Sequence, residues 1–274
     1  MVSLIEVVVI SLFAGFIGSI TGLGGASITT PLLTLMGVPI KNAIAAGIVS
    51  IIATSSGSSA AYIRRGLADV KAAMFLEIFT IVGAIIGATI TLYIIPGLLY
   101  FFFAAFLLTS FLGLRRLSQE LPQNVVQDKV ARWLGMSGSY YDDRLGVEVS
   151  YKLTRPLLGG AGMFVAGIAA GMLGIGAGAF KVAVHELVLK MPSKVSSATS
   201  NFIIGMTALA GASVYFNSGL LFLVLAAPMA VGTTLGAMAG SRVLRKLSNK
   251  STRLLFLAVV LYIMAQMVVK GFME

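Results

Sequence analysis

Long apolar stretches without charged residues divide this chain into membrane-length segments. A crossing helix needs about 20 apolar residues. Three stretches predict five crossings, one over 42–63, two over 72–114 and two over 195–241, and a shorter stretch over 254–269 predicts a last one. The two longer stretches are each interrupted by a glycine-containing turn, as expected where one helix ends and the next begins.

Two other apolar segments, 7–40 and 156–193, are too long for one upright crossing and too short for two. Each carries a glycine cluster near its middle, Gly22-Leu23-Gly24-Gly25-Ala26 in the first and Gly174-Ile175-Gly176-Ala177-Gly178 in the second. Glycine weakens helix interiors and permits turns. Each segment therefore predicts a helix–break–helix unit that enters the membrane and comes back, with the break packed in protein or lining a wet cavity.

The second half of the chain repeats landmarks of the first. Gly174 follows Gly22 by 152 positions, and Tyr215 follows Tyr62 by 153. The predicted fold is an all-α polytopic membrane protein with two inverted repeats, each a glycine-broken (re-entrant or hairpin) helix pair followed by three transmembrane helices. The predicted boundaries are 1–114 for repeat 1, 115–155 for a cytoplasmic loop and 156–274 for repeat 2. Glycines at spacing four are expected to allow close helix packing; they are Gly83, Gly87, Gly232, Gly236 and Gly240.

Composition agrees with this class. The chain is 58% hydrophobic and 11% charged, with a mean hydropathy of +0.97, whereas soluble domains carry about 25% charged residues. The absence of cysteine excludes disulfides and thiolate metal sites. The net charge of +10 is explained by basic loops beside membrane spans, so no nucleic-acid partner is expected. The first residues lack a basic region and a cleavage site, and indicate the start of a span rather than a signal peptide.

The distribution of basic residues predicts the orientation. If each broken segment returns to its starting side, 17 of the 20 Lys and Arg residues collect on one face, leaving Lys41 and Lys270 on the other. The positive-inside rule then places both termini outside and the 115–155 loop in the cytoplasm of a plasma-membrane protein. In that loop, 147–151 alternates like a short strand and 139–143 resembles a polar turn. The loop is either a cytoplasmic cap or a plain linker.

Ionisable residues inside membrane segments are functional candidates because burying them is expensive. Lys181 follows the second break, and His185 lies one turn later on the same helix face. Glu77 lies in the first of the two crossings predicted over 72–114. Each has an alternative: Lys181 snorkels to the interface, His185 is a packing residue, or Glu77 is interfacial. His185 and Glu77 are the candidates for proton coupling.

The two breaks predict an anion site. After each break a half-helix begins with free N–H groups and a positive dipole end, and two such ends near the midplane with Lys181 form a place for an anion. The alternative is that the glycines only allow tight helix packing. The glycine spacing also resembles a dinucleotide-binding motif, but the strand before it and the βαβ unit that this motif requires are missing. The expected substrate-binding residues are Gly22, Gly24, Gly25, Ala26, Ser27, Thr29, Thr30, Gly174, Gly176, Gly178, Lys181, Thr199, Ser200 and Asn201. No catalytic residue, metal site or cofactor is expected.

These residues carry a family resemblance that covers nearly the whole chain. The first-half motifs are Gly22-Leu23-Gly24-Gly25, Pro31-Leu32-Leu33, Gly37-Val38-Pro39, Ile52-Ala53-Thr54-Ser55 and Tyr62-Ile63-Arg64-Arg65-Gly66. The second-half motifs are Gly174-Ile175-Gly176-Ala177-Gly178-Ala179-Phe180-Lys181 and Ala198-Thr199-Ser200-Asn201-Phe202. Together they resemble the TauE/SafE family of sulfite exporters. The resemblance implies a membrane transporter for sulfite, sulfonates and related sulfur-containing anions.

The chain departs from the family pattern at four positions. Ala26 and Ala177 each interrupt a run of three glycines, and Ala183 stands where a proline is common. Gly47 replaces a hydroxyl residue, so the first repeat is expected to supply fewer side-chain donors.

The predicted function is secondary transport of a small, sulfur-containing oxyanion by alternating access. The expected partners are the anion and the lipid bilayer, and a homo-oligomer is left open. An uncoupled anion channel of the same fold is the first alternative. An intramembrane enzyme is the second, although no His-Glu-x-x-His motif, cysteine nucleophile or embedded aspartate pair is found.

Overall fold

Helices dominate the molecule. The computed structural model of this protein describes residues 4–21, 24–115, 125–142, 146–244 and 249–273. The first half contains α1 (Leu4–Thr21), α2 (Ala26–Leu35), α3 (Ile40–Arg64), α4 (Val70–Tyr93) and α5 (Pro96–Arg115). A connecting part contains α6 (Lys129–Trp133), β1 (Ser137–Asp142) and β2 (Val147–Lys152). The second half contains α7 (Pro156–Leu173), α8 (Gly178–Leu187), α9 (Ser193–Asn217), α10 (Leu223–Leu244) and α11 (Asn249–Met273).

Four of the described helices are long and apolar enough to cross a membrane by themselves: Ile40–Arg64, Val70–Tyr93, Pro156–Leu173 and Leu223–Val243. Both halves have the same helix order, a broken pair followed by three helices. The breaks predicted from the glycine clusters are confirmed, since α1 ends at Thr21 and α7 ends at Leu173. Gly22 and Leu23 lie outside the described residues.

In each broken pair the second helix comes back towards the start of the first. The backbone N–H of Thr154, before α7, donates to the carbonyl of Leu189, after α8, at 3.1 Å. In the first pair, Val7 of α1 and Leu33 of α2 belong to one core cluster. Helices α2 and α8 have 10 residues each, which is about 15 Å and half of a hydrocarbon core. Each of these two helices is therefore too short to cross a membrane by itself.

Glycine faces hold the two halves together. Helix α4 packs on α7 and helix α10 packs on α1. A Cβ at Gly83 or Gly87 would collide with the α7 backbone, and one at Gly236 or Gly240 would collide with the α1 backbone. These glycines therefore allow backbones to approach closely, as their spacing predicted. Two further helix pairs are also exchanged between the halves, since α3 packs on α10 as α9 packs on α4.

A β-hairpin covers one end of the bundle. Strands β1 and β2 are antiparallel, with Tyr140 opposite Val149. The hairpin packs in a core cluster with the starts of α4 and α9, through Ala72 and Val195. The end that carries this hairpin is called the hairpin end. The described part of the 115–155 loop thus packs on the bundle rather than forming a plain linker. The predicted turn over 139–143 is wrong for 139–142, which belong to β1.

Asp69 joins the hairpin to the membrane helices. Its carboxylate caps α4 by accepting from the Ala72 N–H at 3.0 Å, and it also accepts from the Tyr151 hydroxyl at 3.1 Å. Its backbone N–H donates to Thr199 Oγ1 at 2.9 Å. Burial, with the neighbouring Asp69 carboxylate, raises the pKa of Tyr151, so its hydroxyl stays a donor at neutral pH.

The other end of the bundle, called the opposite end, is closed by side chains that bond to helix carbonyls. Lys41 Nζ donates to the Leu92 carbonyl at 3.0 Å. Asn42 Nδ2 donates to Leu220 at 3.1 Å. Lys270 Nζ donates to the Thr34 carbonyl at 2.8 Å. These bonds join α2, α3, α4, α11 and the α9–α10 turn.

Candidate functional site

The two helix breaks meet at one pair of matched isoleucines. Gly24 and Gly176 have left-handed backbones, with φ of 77° and 70°. A Cβ on Gly24 would lie 3.6 Å from Ile204 and 3.7 Å from Ile51, and a Cβ on Gly176 would lie 2.8 Å and 3.4 Å from the same two side chains. Ile204 of α9 follows Ile51 of α3 by 153 positions. The equivalent breaks of both halves are thus brought together, as the sequence predicted.

The start of α2 is bonded directly to the second break. Ser27 Oγ donates to the carbonyl of Ile175 at 3.1 Å. A Cβ on Gly47 of α3 would lie 3.3 Å from both Ala26 and the Gly174 carbonyl. A serine or threonine at Gly47 would also collide with Thr30. The glycine at this position therefore lets α3 pass close to the two breaks.

The first amides of α2 already have partners. The N–H groups of Ser27, Ile28 and Thr29 donate to the carbonyls of Gly24 and Gly25 at 3.0–3.3 Å. The Thr29 hydroxyl, by contrast, is buried and has no hydrogen-bond partner in the described parts of the chain. In this half a side-chain hydroxyl is therefore a better candidate donor than the helix amides. Thr30 makes one long contact, 3.5 Å to the Ala43 carbonyl.

Lys181 is the centre of a buried polar network. Its side chain is fully buried, and Nζ donates to Thr207 Oγ1 at 2.6 Å. Thr207 Oγ1 in turn donates to the Glu77 carboxylate, at 2.9 Å from Oε1 and 3.1 Å from Oε2. Thr80 donates to Glu77 Oε2 at 2.6 Å. The structure thus joins two residues that the sequence had placed in different roles, and the ammonium lies inside the protein.

Thr207 was missed by the sequence reasoning. A detectable signal existed, because Thr207 is the counterpart of Thr54, 153 positions earlier. Its contact with Glu77, however, joins α9 to α4 and has no local sequence pattern. Glu77 itself is buried, so the interfacial alternative does not describe its position.

His185 lies one turn beyond Lys181 and is fully buried. Its Nδ1 lies 3.4 Å from the Ser196 carbonyl, which makes Nδ1 the protonated nitrogen by the hydrogen-bond pattern. Its Nε2 is then an acceptor, and it has no partner among the described residues. In that part of the chain no cluster of three or more His, Cys, Asp or Glu residues is arranged to hold a metal ion.

The three consecutive candidates at the start of α9 point to different places, because successive helix residues are rotated by about 100°. Thr199 accepts from Asp69 at the hairpin end. Ser200 Oγ donates to the Gly178 carbonyl at 3.4 Å, which places it beside the second break. Asn201 Nδ2 donates to the Ser197 carbonyl at 3.0 Å and the Ser19 carbonyl at 3.4 Å. The structure therefore brings Ser200, but not the Thr199 hydroxyl, to the breaks.

Further hydroxyls line the contact between α1, α3 and α9, although they were not among the substrate-binding residues expected from the sequence. Ser55 and Ser59 donate to the Asn201 carbonyl at 2.6 and 3.3 Å. Tyr62 donates to the Ser19 carbonyl at 3.1 Å. These residues form a polar seam that runs from the breaks towards the hairpin end.

Comparison with known proteins agrees with this architecture. The family description "Sulfite exporter TauE/SafE" matches residues 7–267. A curated relative, described as the probable membrane transporter protein YunE of Bacillus subtilis (strain 168), is 27% identical over 277 residues, covering 98% of each chain. No solved structure matches. The chain thus belongs to the sulfite exporter TauE/SafE family.

Proposed function

We propose that this protein is a secondary transporter of a small, sulfur-containing oxyanion. The observation that carries the proposal is the meeting of two glycine breaks at Ile51 and Ile204. Broken helices at membrane depth, one from each half, are the usual construction of a transporter binding site. The family description and the relative's printed name support transport, and sulfite in that description makes sulfur oxyanions the first substrates to test.

In the proposed mechanism the two halves are inverted repeats that move against each other around the breaks. The contacts support inversion, because equivalent helices begin at opposite ends. Thr154, just before α7, bonds to Leu189 near the hairpin, whereas Val7 of α1 packs with Val38 and Leu225, near the opposite end. Alternating access follows from rocking one half against the other.

The anion binds between the two breaks in this proposal. Lys181 supplies the charge, the α8 N-terminus supplies amides, and Thr29 and Ser200 supply hydroxyls that orient the oxygens. Both His185 and Glu77 are candidates for proton coupling. A cation and an anion about 4 Å apart attract by ~4 kcal/mol at an effective dielectric of 20, so the lysine dominates affinity.

The proposed orientation places the hairpin end in the cytoplasm and both termini outside, in the plasma membrane. The support is the basic-residue count, since 17 of 20 Lys and Arg residues fall on the hairpin side of this arrangement.

The test is a binding and transport screen with purified protein. Sulfite, sulfate, thiosulfate, sulfoacetate, taurine, methanesulfonate and simple carboxylates are compared by thermal shift and by uptake into proteoliposomes. We expect at least one sulfur oxyanion to raise the melting temperature and to accumulate. Lys181→Met should abolish this binding, whereas Lys190→Met, at an exposed site, should leave it unchanged. Conduction far above carrier rates would identify a channel, and no response to any anion would overturn the proposal.

A further inference from the structure

One pair of opposite charges lies buried at membrane depth beside the breaks. Glu77 comes from α4 of the first half and Lys181 from α8 of the second, and Thr207 joins them by hydrogen bonds of 2.6–3.1 Å. Both charged side chains are at most 2% exposed. Such a pair is stable only while its charges are balanced.

The equivalent place in the other half has no charge. Helices α2 and α8 match at an offset of 152, and the following helices match at 153. The counterpart of Lys181 is Thr29, that of Thr207 is Thr54, and that of Glu77 is Ala230. The two threonine positions are kept, as Thr80 and Thr233 and as Thr207 and Thr54, whereas both charged positions are not. Packing of the two halves therefore does not require the ion pair, which points to a role other than structural support.

The Glu77 carboxylate is linked through Thr207 to the Lys181 ammonium, which is the group that an incoming anion needs. We propose that Glu77 is the proton-binding site of transport, and that one proton on Glu77 accompanies each anion bound at Lys181. This inference rests on the proposed function. Without ligands the pair is neutral. A proton alone leaves a buried +1 and a single-charged anion alone leaves a buried −1, whereas both together restore neutrality. Because buried net charge is expensive, the two ligands bind together.

Other ionisable groups around Glu77 have different roles. Helix α7, packed along α4, contains none. Helix α8 carries Lys181, His185 and Glu186. His185 bonds to the Ser196 carbonyl, and Glu186 lies five positions after Lys181, which turns it by about 140° to a different face of the helix. Helix α9 carries Lys194 and Tyr215 near its two ends, where they bond to Asp142 and to the Gly171 carbonyl. Helix α3, which touches α4 weakly, has Tyr62 bonded to Ser19. Glu77 is thus the described carboxylate that faces Lys181.

The experiment separates exchange from proton-driven accumulation in proteoliposomes. The probe is radiolabelled methanesulfonate, or another singly charged sulfonate that the wild type transports, because it carries one negative charge and stays ionised near neutral pH. For Glu77→Gln we expect accumulation driven by a pH gradient to fall about tenfold or more, a typical size for lost coupling. Anion exchange at equal pH should stay within about twofold, since Lys181 is then permanently available. Glu148→Gln, on the exposed hairpin, is the carboxylate control, and His185→Gln tests the other candidate for proton coupling.

A second measurement needs no variant. A pH-sensitive dye inside wild-type proteoliposomes should report about one proton moved per anion. Anion transport with no proton movement, or proton-driven accumulation that survives in Glu77→Gln, would overturn the inference. Loss of coupling in His185→Gln but not in Glu77→Gln would also overturn it. Failure of the wild type to transport any anion would instead contradict the proposed function.

Discussion

Gly24 and Gly176 share a left-handed backbone but differ in the space around them. The nearest atom to an added Cβ is 3.6 Å away at Gly24, an ordinary contact, and 2.8 Å away at Gly176. That close atom belongs to Ile204, a branched side chain held in the core. The second break is therefore the more tightly constrained of the two.

Alanine substitutions test this difference. Gly24→Ala should cost about 1–2 kcal/mol of stability, from left-handed strain alone. Gly176→Ala should cost more, because strain and a collision with Ile204 add. Thermal unfolding in detergent checks the order. The double variant Gly176→Ala/Ile204→Ala should lose less stability than the two single losses added together, because removing the isoleucine side chain removes the collision. Equal destabilisation at both glycines would show that the isoleucine does not confine the second break.

Asp69 carries three bonds that connect the hairpin to the membrane helices. Asp69→Ala should lower the free energy of unfolding by about 1 kcal/mol for the lost helix cap, and by a further ~1 kcal/mol for the bond from Tyr151. Tyr151→Phe removes only the second contribution. Denaturation midpoints of the two variants should differ accordingly, and identical midpoints would mean that the cap contributes nothing.

At the residue scale, the sequence was better at picking out candidate residues than at predicting their contacts. Lys181 and Glu77 stand out because charge is rare in apolar helices. Their link through Thr207 depends on how α4, α8 and α9 pack, which no local spacing contains. Thr199 shows the opposite error. Its place beside Ser200 predicted that it lies at the breaks, whereas its hydroxyl accepts a hydrogen bond from the Asp69 N–H.

At the scale of the elements, the close packing of α4 on α7 and of α1 on α10 depends on helix faces made of glycine. Gly87 faces the α7 backbone at Ile168, whereas Gly97 has nothing within 4 Å of an added Cβ. Small residues allow close packing of helices in lipid, where apolar burial gives little driving force.

Leucine at these two positions gives a matched comparison. Gly87→Leu should separate α4 from α7 and lower the melting temperature strongly, or prevent folding. Gly97→Leu adds the same side chain in open space and should have little effect. Yield and thermal stability after size-exclusion chromatography measure both. Comparable yields and melting temperatures would contradict the packing role.

The elements also show where pattern reasoning works. Apolar periods and glycine clusters predicted both broken pairs, because lipid forces backbone bonds to be made within each helix. Strand β1 was missed because Ser137–Asp142 has the composition of a turn. It is a strand because β2 pairs with it and because Tyr140 is buried beside Tyr151, and both causes are non-local.

The orientation of the whole molecule in the membrane can be tested by cysteine labelling. The chain has no native cysteine, so single-cysteine variants are clean probes. Ser139 on the hairpin and Ser218 at the opposite end are both exposed. In intact cells an impermeant maleimide should label Ser218→Cys and leave Ser139→Cys unlabelled until the membrane is opened. Labelling of Ser139→Cys from outside would reverse the proposed topology.

The pairing of α1 with α10 has a consequence for the order of synthesis. On the ribosome α1 is made long before the glycines that receive it, Gly236 and Gly240. Helices α1, α3, α4 and α5 all have their main partners in the second half, so they enter the bilayer with those partners still unmade. Final assembly has to wait for α7, α10 and α11, and during that interval lipid must cover the faces that later become the contact between the halves.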